Sequence, residues 1–225
     1  MKSAEQLIST LTHDVNNHLS ATQSYLELLL SGSLNEAQES RLGLDLLALT
    51  KNTAIMLANL LIWSRITSST ELVSHPGRLS LGDAIRQVLE DQQSIAQNKE
   101  IDLSAKMVEE ISVLADPSQF QLILRNLVNN ALKFTPAGGK VAISIQPALG
   151  EVIIQIKDTG IGISPEQQKE LFAPGWKVTF GTRNEKGLGL GLWLCKELLE
   201  KQKGRIWHHS SVLRGSAFLI SVPLS

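Results

Sequence analysis

Apolar residues recur every three or four positions along the first third of the chain, which is the spacing that places them on one face of an α-helix. From Ile8 to Leu29 they form a single stripe without glycine or proline. After a Ser-Gly-Ser break, a second helical pattern begins near Asn35, a residue type that favours helix N-caps, and continues to about Arg65. The pattern therefore predicts a hairpin of two long helices.

The second helix of this hairpin is apolar around much of its circumference. A helix of this kind needs burial on more than one side, and one partner helix cannot provide it. We therefore expect two copies of the hairpin to pair as a homodimeric four-helix bundle. No apolar run reaches the roughly 18–20 residues of a membrane span, because Asn59 and Arg65 interrupt the longest candidate.

A different pattern follows the hairpin. Residues 68–79 are polar and contain Pro76 and Gly77, which predicts a linker. Beyond the linker, alternating segments typical of strands are separated by amphipathic helices. Strands are predicted near 101–103, 111–113, 140–146, 151–157, 205–209 and 216–222, and helices near 82–98, 117–135 and 189–203. The chain is therefore divided into a hairpin (1–67), a linker (68–79) and an α+β layer domain (80–225).

Composition narrows the class of protein. Hydrophobic residues make up 43% of the chain, which is enough for a packed core, and the net charge of −1 argues against a general nucleic-acid binder. The single cysteine, Cys195, excludes an intramolecular disulfide and a cysteine-based zinc cluster. Without a visible signal peptide, a cytoplasmic location is expected.

Three polar residues share one face of the helix that Asp116-Pro117 is predicted to start. Asn126, Asn130 and Lys133 lie at positions i, i+4 and i+7. Amide oxygens and an ammonium group on one face can hold a hydrated Mg²⁺ and a polyphosphate, because Mg²⁺ takes oxygen ligands and keeps several waters. The alternative is a solvated polar stripe on an amphipathic helix.

A carboxylate and two glycines stand where the predicted strand 151–157 ends. Asp158 can accept a hydrogen bond from an exocyclic amine such as that of adenine, and Gly160 and Gly162 allow the backbone to approach a planar ring closely. The same composition also suits an ordinary turn at the end of a strand.

Glycines alternate with leucines just before the helix predicted at 189–203, at Gly187, Gly189 and Gly191. Exposed backbone N–H groups at a helix N-terminus can bind phosphate, although the spacing is neither that of a Rossmann fingerprint nor that of a P-loop. A tight turn is the alternative. The preceding segment, 173–186, suits a lid with Lys177, Arg183 and Lys186 near phosphate, or an ordinary surface loop.

In this order and spacing, the four segments resemble the N box, the first glycine box, the lid and the second glycine box of sensor histidine kinases, whose catalytic domain has the Bergerat ATP-binding fold. Residues 214–218 (RGSAF) resemble the closing glycine–serine motif of that domain. Residues 12–19 (THDVNNHL) resemble the H box of the hairpin that dimerises and carries the phosphoryl group. The resemblance covers nearly the whole chain.

The resemblance implies a fold and a site. The fold would be a dimeric four-helix bundle followed by a Bergerat-type α/β sandwich, with ATP and Mg²⁺ between the N-box helix and the lid. Asn130 would bind Mg²⁺, with Asn126 beside it, and Lys133 would contact phosphate. The remaining contacts would be Asp158 at the adenine amine, Gly160 and Gly162 around the base, and Gly187, Gly189 and Gly191 along the phosphates.

The H-box match singles out His13 as the residue that accepts the phosphoryl group of ATP. The apolar stripe of the first helix is centred on the side opposite His13, so we expect its ring to face solvent. The resemblance implies that Asp14 takes the imidazole proton and that a response-regulator receiver domain receives the phosphoryl group next. An upstream sensor domain or sensor partner is also implied.

His18 and His13 are five residues apart, whereas metal-binding pairs on a helix favour i, i+4. The two histidines are therefore not expected to share a metal. His18 lies near the edge of the apolar stripe of the first helix, so we expect it to pack at the bundle surface. By resemblance, the spacing from Asp14 to Asn17 implies phosphatase activity toward the receiver. His18 fits the spacing of another kinase class, and Asn17 is favoured because Asn126 and Asn130 match the first class.

Asn126 separates the chain from ATP-hydrolysing relatives of the same fold. Gyrase-type enzymes have glutamate there as the base for water, and an amide cannot take that proton at neutral pH. The rival hypotheses are a stand-alone ATPase and a phosphotransfer or phosphatase scaffold that no longer binds ATP. Two departures from the kinase pattern are His18, where proline is frequent, and Phe172-Ala173-Pro174-Gly175 in the lid; the first predicts a helix without the usual bend.

Overall fold

The computed structural model describes residues 2–67, 74–106, 111–173, 180–183, 189–210 and 215–225, and the chain divides into two compact units, Met1–Glu71 and Leu72–Ser225. The division falls inside the predicted linker. The end of that linker is nevertheless strand β1 (Gly77–Ser80), which pairs with β3 (Ser112–Ala115) in a two-stranded antiparallel sheet. The linker is therefore shorter than the sequence predicts.

The first unit is the helical hairpin, formed by α1 (Lys2–Leu30) and α2 (Glu36–Thr67). As predicted, α2 begins after Asn35, whose side chain accepts the Gln38 N–H at 3.0 Å. The Gln38 side chain accepts the Asn35 N–H in return, also at 3.0 Å, so the two residues form a reciprocal cap. Helix α1 continues without a break through His18, which agrees with the absence of proline there.

Leucines remain exposed on both helices of the single hairpin. Leu19 on α1 and Leu61 on α2 expose 56% and 58% of their surface. Burial of such surface stabilises an assembly, so these faces support the prediction of a four-helix bundle. Among the hairpin residues whose side chains the structure describes, the exposed leucines are Leu19, Leu26, Leu28, Leu30, Leu44, Leu47, Leu57 and Leu61.

The length and composition of α2 correct one expectation. Glu36–Ile66 forms a helix long and apolar enough to cross a membrane by these two criteria, whereas the uninterrupted apolar run in the sequence is shorter than a membrane span. A helix buried on several sides in a bundle has the same composition. The property is therefore compatible with either environment.

The second unit is built on a five-stranded sheet with the order β2–β4–β5–β7–β6. Strands β2 and β4 run parallel, and the other neighbours are antiparallel. The strands are β2 (Asp102–Lys106), β4 (Lys140–Ala148), β5 (Glu151–Asp158), β6 (Arg205–Ser210) and β7 (Ser216–Pro223).

Helices cover the sheet and close the core. They are α3 (Leu81–Asn98), α4 (Pro117–Phe134), the short α5 (Pro165–Gln168) and α6 (Gly191–Lys201). Helix α4 packs between α3 and α6 and against β5. Alternate residues of β5 are buried, as are those at helical spacing on α4, because each element turns its apolar face inward. The predicted α+β fold with an ATPase-type sandwich is confirmed.

Asp116 fixes the beginning of α4. Its Oδ1 accepts the N–H groups of Ser118 at 3.0 Å and Gln119 at 3.1 Å, as an N-cap does. Its Oδ2 accepts the N–H of His75 at 2.8 Å, and its own N–H donates to Gln202 Oε1 at 2.7 Å. Burial raises the pKa of Asp116, but these hydrogen bonds outweigh it and lower the pKa overall. Asp116 thus ties α4 to the segment before β1 through its carboxylate, and to the end of α6 through its main-chain N–H.

Candidate functional site

The structure places the three polar residues of α4 at different depths. Asn126 is buried, whereas Asn130 and Lys133 are half-buried. The Asn130 amide forms no hydrogen bond with any residue in the described part of the chain, so its oxygen is available to a ligand. The Lys133 ammonium lies 4.8 Å from the centre of the Phe134 ring. Asn130 and Lys133 are therefore the accessible members of this face.

Asn126 instead joins α4 to the beginning of α6. Its Nδ2 donates to Leu122 O at 3.0 Å, and its Oδ1 lies 2.8 Å from the position that a Cβ atom on Gly191 would occupy. Glycine at position 191 therefore allows the two helices to approach this closely. Leu190, the N-cap of α6, provides no side-chain cap, which leaves the first N–H groups of the helix for other acceptors.

Asp158 is buried at the end of β5 and oriented by the backbone. Its Oδ1 accepts the N–H groups of Gly160 at 2.8 Å and Ser216 at 3.1 Å. Within the described residues, Oδ2 accepts no hydrogen bond, so it is the oxygen presented to a ligand. Burial raises the pKa of this carboxyl group, and the two backbone donors oppose that rise without cancelling it.

The turn after β5 lies against the end of α4. Ile161 N–H donates to Phe134 O at 3.2 Å. A Cβ atom on Gly160 would lie 2.4 Å from Phe134 O, which explains the need for glycine at this position. Gly162 has a positive φ of 72°, a conformation that favours glycine. Two of the predicted motifs are thus in direct contact.

Ser216 orients Asp158 through its main-chain N–H, a role that the sequence pattern does not reveal. Gly215, its neighbour, has a φ of +80°, and a Cβ atom there would lie 2.0 Å from Asp158 O. The glycine–serine motif therefore acts on the carboxylate through the main chain. The resemblance of residues 214–218 to a family motif pointed to this part of the chain, but it did not predict the contact with Asp158.

Lys99 is a second residue whose role the sequence pattern does not reveal. It directly follows α3 and is only 4% exposed, and its ammonium donates to Leu132 O and Lys133 O, each at 2.8 Å. These carbonyl groups have no partner within α4 because they lie in its last turn. A lysine at a helix end ordinarily faces solvent, so the sequence carries no signal for this buried cap.

The segment 180–183 is held against the same helix ends. Thr182 N–H donates to Lys133 O at 3.0 Å, and its hydroxyl donates to Thr135 O at 3.0 Å. Arg183 was predicted near phosphate, but its guanidinium donates to Asn98 O at the end of α3, at 2.8 Å. The predicted phosphate contacts Lys177, Lys186 and Gly187 lie outside the described residues, whereas Gly189 has a positive φ of 69°.

The histidines of α1 have different partners. His13 is exposed within the single chain, as predicted, and its Nδ1 lies 3.1 Å from Asn17 Nδ2. His18 is half-buried, and its Nδ1 lies 2.9 Å from the hydroxyl oxygen of Thr53 on α2. His18 therefore packs at the interface of the two helices. The side chain of Asp14 lies outside the described part of the chain.

A comparison with protein families identifies the class of the second unit. Residues 115–225 match the family described as histidine kinase-, DNA gyrase B-, and HSP90-like ATPase. The match begins just before the N-cap of α4 and includes Asn130, Asp158 and the beginning of α6. The second unit thus contains an ATP-binding domain of the histidine kinase type.

Curated relatives extend the match to the hairpin. The adaptive-response sensory kinase SasA of Synechococcus sp. (strain JA-2-3B'a(2-13)) is 28% identical over 225 residues, which cover 98% of this chain and 59% of the relative. Sensor protein EvgS of Escherichia coli (strain K12) is 30% identical over 229 residues, which cover 97% of this chain and 19% of the relative. The chain therefore spans less than two thirds of the length of these relatives.

Solved structures agree with this assignment. The catalytic domain of histidine kinase ThkA is 26% identical, with a TM-score of 0.57, and the match covers 67% of this chain and 96% of that one. The histidine kinase AdeS of Acinetobacter baumannii shares the fold over 95% of this chain and 98% of its own, with a TM-score of 0.65 at 20% identity. The chain is thus similar to histidine kinases over nearly its whole length, and its second unit has their ATPase-domain fold.

Replacing Lys99 tests the buried cap at the end of α4. We expect Lys99→Met to lower the free energy of unfolding of the second unit by about 2–3 kcal/mol, because two carbonyl groups lose their charged donor. Urea unfolding followed by tryptophan fluorescence measures this change. The exposed Lys201, in the last turn of α6, is the matched control, and Lys201→Met should change the value by less than about 0.5 kcal/mol. Equal effects of the two variants would contradict the assignment.

Proposed function

We propose that this chain is the kinase core of a two-component sensor, in which ATP phosphorylates His13 and an aspartate of a receiver domain then takes the phosphoryl group. The observation that carries the proposal is the environment of Asn126. An amide cannot take a proton from water at neutral pH, so Asn126 cannot be the base that activates water for hydrolysis. Here the amide instead donates to Leu122 O and packs against Gly191. The nucleophile must then come from another residue, and His13 is exposed on the hairpin.

ATP binding would use the groups that the second unit leaves accessible. Asp158 Oδ2 would accept a hydrogen bond from the adenine amine, and the turn at Gly160 and Gly162 would lie against the base. Lys133 and the N–H groups at Gly189 and Gly191 would hold the phosphates. These groups fit a nucleotide, because one end of the site presents an oriented carboxylate to accept from the base and the other end presents amide and ammonium donors to the phosphates.

A magnesium site fits the same arrangement. The described residues contain no cluster of three or more histidine, cysteine, aspartate or glutamate side chains, so phosphate oxygens and water would supply most ligands. Asn130 Oδ1 would be the protein ligand. Bound Mg²⁺ would neutralise negative charge that develops on the phosphates during transfer.

In the proposed reaction, residues of the hairpin supply both the nucleophile and the acceptor for its proton. A ring nitrogen of neutral His13 attacks the γ-phosphorus, and the bond from that phosphorus to the bridging oxygen breaks, so that ADP leaves with the bonding electrons. The other ring nitrogen gives its proton to Asp14. The phosphoryl group then passes from the imidazole to a receiver carboxylate. Lys133 supplies positive charge and positioning, on which phosphoryl transfer mainly depends.

The partners follow from the same proposal. Exposed leucines on both helices favour a homodimer of hairpins, and the relatives' greater length favours a sensor domain or a sensor partner upstream. Histidine kinase ThkA has been crystallised in complex with the response regulator protein TrrA, and a receiver of this kind is the partner proposed here. A cytoplasmic position of the kinase core suits both ATP and such a receiver.

Labelling with γ-phosphate-labelled ATP and Mg²⁺ tests the phosphoacceptor. The wild type should acquire label that survives base and is lost in acid, because a phosphorus–nitrogen bond is acid-labile. His13→Gln should bind ATP with unchanged affinity and acquire no label, whereas the control His18→Gln should still be labelled. Label on His13→Gln, or ATP hydrolysis without labelling of the wild type, would contradict the proposal and favour a hydrolase or a scaffold.

Replacing Asp158 by asparagine tests recognition of the base. Both backbone donors, Gly160 and Ser216, point at Oδ1, so the amide oxygen of Asp158→Asn should take that position. Its NH₂ group would then face the adenine amine, donor against donor. We expect ATP affinity to fall about 10- to 100-fold, with a smaller loss for inosine triphosphate, which has an acceptor at that position. Equal losses for both nucleotides, measured by calorimetry, would refute this orientation.

The raised pKa of Asp158 adds a pH dependence to the same site. ATP affinity should fall as the pH decreases through this pKa, because a protonated carboxyl loses its negative charge. Stability changes in the opposite direction: a folded-state pKa above the unfolded value contributes stability at low pH that is lost as the pH rises. Asp158→Asn should remove both dependences. An unchanged pH profile in that variant would assign them to another group.

Separate alanine variants test the proposed phosphatase activity. Asn17→Ala should slow dephosphorylation of a phosphorylated receiver about tenfold or more, because the variant loses the amide that would orient the attacking water. His18→Ala should retain the activity, since His18 is engaged with Thr53. The measurement is loss of label from the receiver in the presence of ADP. Normal dephosphorylation by Asn17→Ala with loss in His18→Ala would reverse the assignment.

A further inference from the structure

The contact between Asn17 and His13 determines where the imidazole proton lies. Asn17 Nδ2 is 3.1 Å from His13 Nδ1, one helical turn away on α1. An amide nitrogen carries two hydrogens and has no acceptor capacity, so it must donate in this contact. Nδ1 must therefore accept, and in the neutral ring the proton is on Nε2. The hydrogen bond made by one ring nitrogen sets the tautomer of the other.

This tautomer is poorly suited to attack phosphorus. If Nδ1 were the nucleophile, its lone pair would already be engaged by the Asn17 amide. If Nε2 were the nucleophile, its lone pair would be absent from the ring plane because Nε2 carries the proton. The contact therefore opposes nucleophilic attack by either nitrogen, and it must break before His13 reacts.

We propose that Asn17 is a positioning residue that restrains His13, holding it in the Nε2–H tautomer until the amide turns away. The inference rests on the proposed function, in which His13 is the phosphoacceptor. When the amide leaves, the ring can carry its proton on Nδ1 and present the Nε2 lone pair to the γ-phosphorus. The Nδ1 proton then passes to a carboxylate as the phosphorus–nitrogen bond forms.

The proposal links two activities through one side chain. The phosphatase role assigned to Asn17 requires its amide to orient water toward a phosphorylated receiver. An amide N–H that is bonded to His13 Nδ1 is not directed at that water. The bond to His13 fixes the orientation of the Asn17 amide, so the amide must turn before the same N–H can orient water at a receiver, and this turn would shift the balance between phosphorylation and dephosphorylation.

Nitrogen-15 NMR of histidine-labelled protein tests the tautomer without any catalysis. At about pH 8, where an ordinary imidazole is neutral, the wild type should show His13 Nδ1 as an unprotonated acceptor and Nε2 as protonated. His13→Gln identifies the signals among the five histidines. Asn17→Ala should shift both signals toward a mixture of tautomers, and Asn17→Asp, which can only accept, should show a protonated Nδ1. A protonated Nδ1 in the wild type would overturn the inference.

Initial rates of autophosphorylation provide the functional readout. At saturating ATP, Asn17→Ala should be phosphorylated about threefold faster than the wild type, the effect of losing one exposed hydrogen bond. The KM for ATP should not change, because the amide acts on the nucleophile. The neighbouring Asn16→Ala is the matched control and should leave both the rate and the spectrum unchanged.

The two readouts separate this inference from the function on which it rests. A wild type that acquires no label contradicts the kinase proposal, while the NMR spectra still decide the tautomer. A labelled wild type with an unchanged rate and unchanged spectrum in Asn17→Ala would overturn the restraint alone. A faster rate accompanied by the expected shift in Asn17→Ala would support it.

Discussion

The carbonyl groups at the end of α4 are the constraint on which the candidate nucleotide site depends. A helix cannot satisfy its own last carbonyl groups, and here the donors come from three distant parts of the chain. The Lys99 ammonium, the Ile161 N–H and the Thr182 N–H bind Leu132 O, Phe134 O and Lys133 O. These bonds form together only if the end of α3, the turn after β5 and the segment 180–183 converge. The hydrogen bonds that satisfy these carbonyl groups thus bring the parts of the site together around the helix that carries Asn130.

The sequence predicted the helices and strands in which apolar residues recur at regular spacing. It did not predict the elements that lack such a pattern. The hairpin, α3, α4, α6 and the five strands of the main sheet are all present near their predicted positions. β1 was missed because it begins in the polar segment that was predicted to be a linker, and α5 was missed because a single helical turn is too short for helical spacing to show. Lys99 and Arg183 show a different limit: a cation in a sequence does not reveal whether it meets solvent, a phosphate or a carbonyl group.

The sequence predicted which face of its helix each site residue occupies, but not which residues it contacts. Helical spacing placed His13 and Asn17 on one face and separated His18 from them, and the structure agrees. The same spacing could not show that Asn17 faces the imidazole through its donor end or that Thr53 holds His18, because these contacts depend on side-chain torsions and on a second helix. Likewise, Ser216 reaches Asp158 only because β7 pairs with β5.

The packing of Asn126 against Gly191 bears on how much ATP a cell would lose to hydrolysis. A kinase that waits for a signal in the presence of ATP loses energy whenever water replaces the protein nucleophile. A Cβ atom on Gly191, the first residue of α6, would lie only 2.8 Å from Asn126 Oδ1, so the amide packs closely against the beginning of that helix. In the proposed kinase, this packing and the weak basicity of the amide would both disfavour futile hydrolysis.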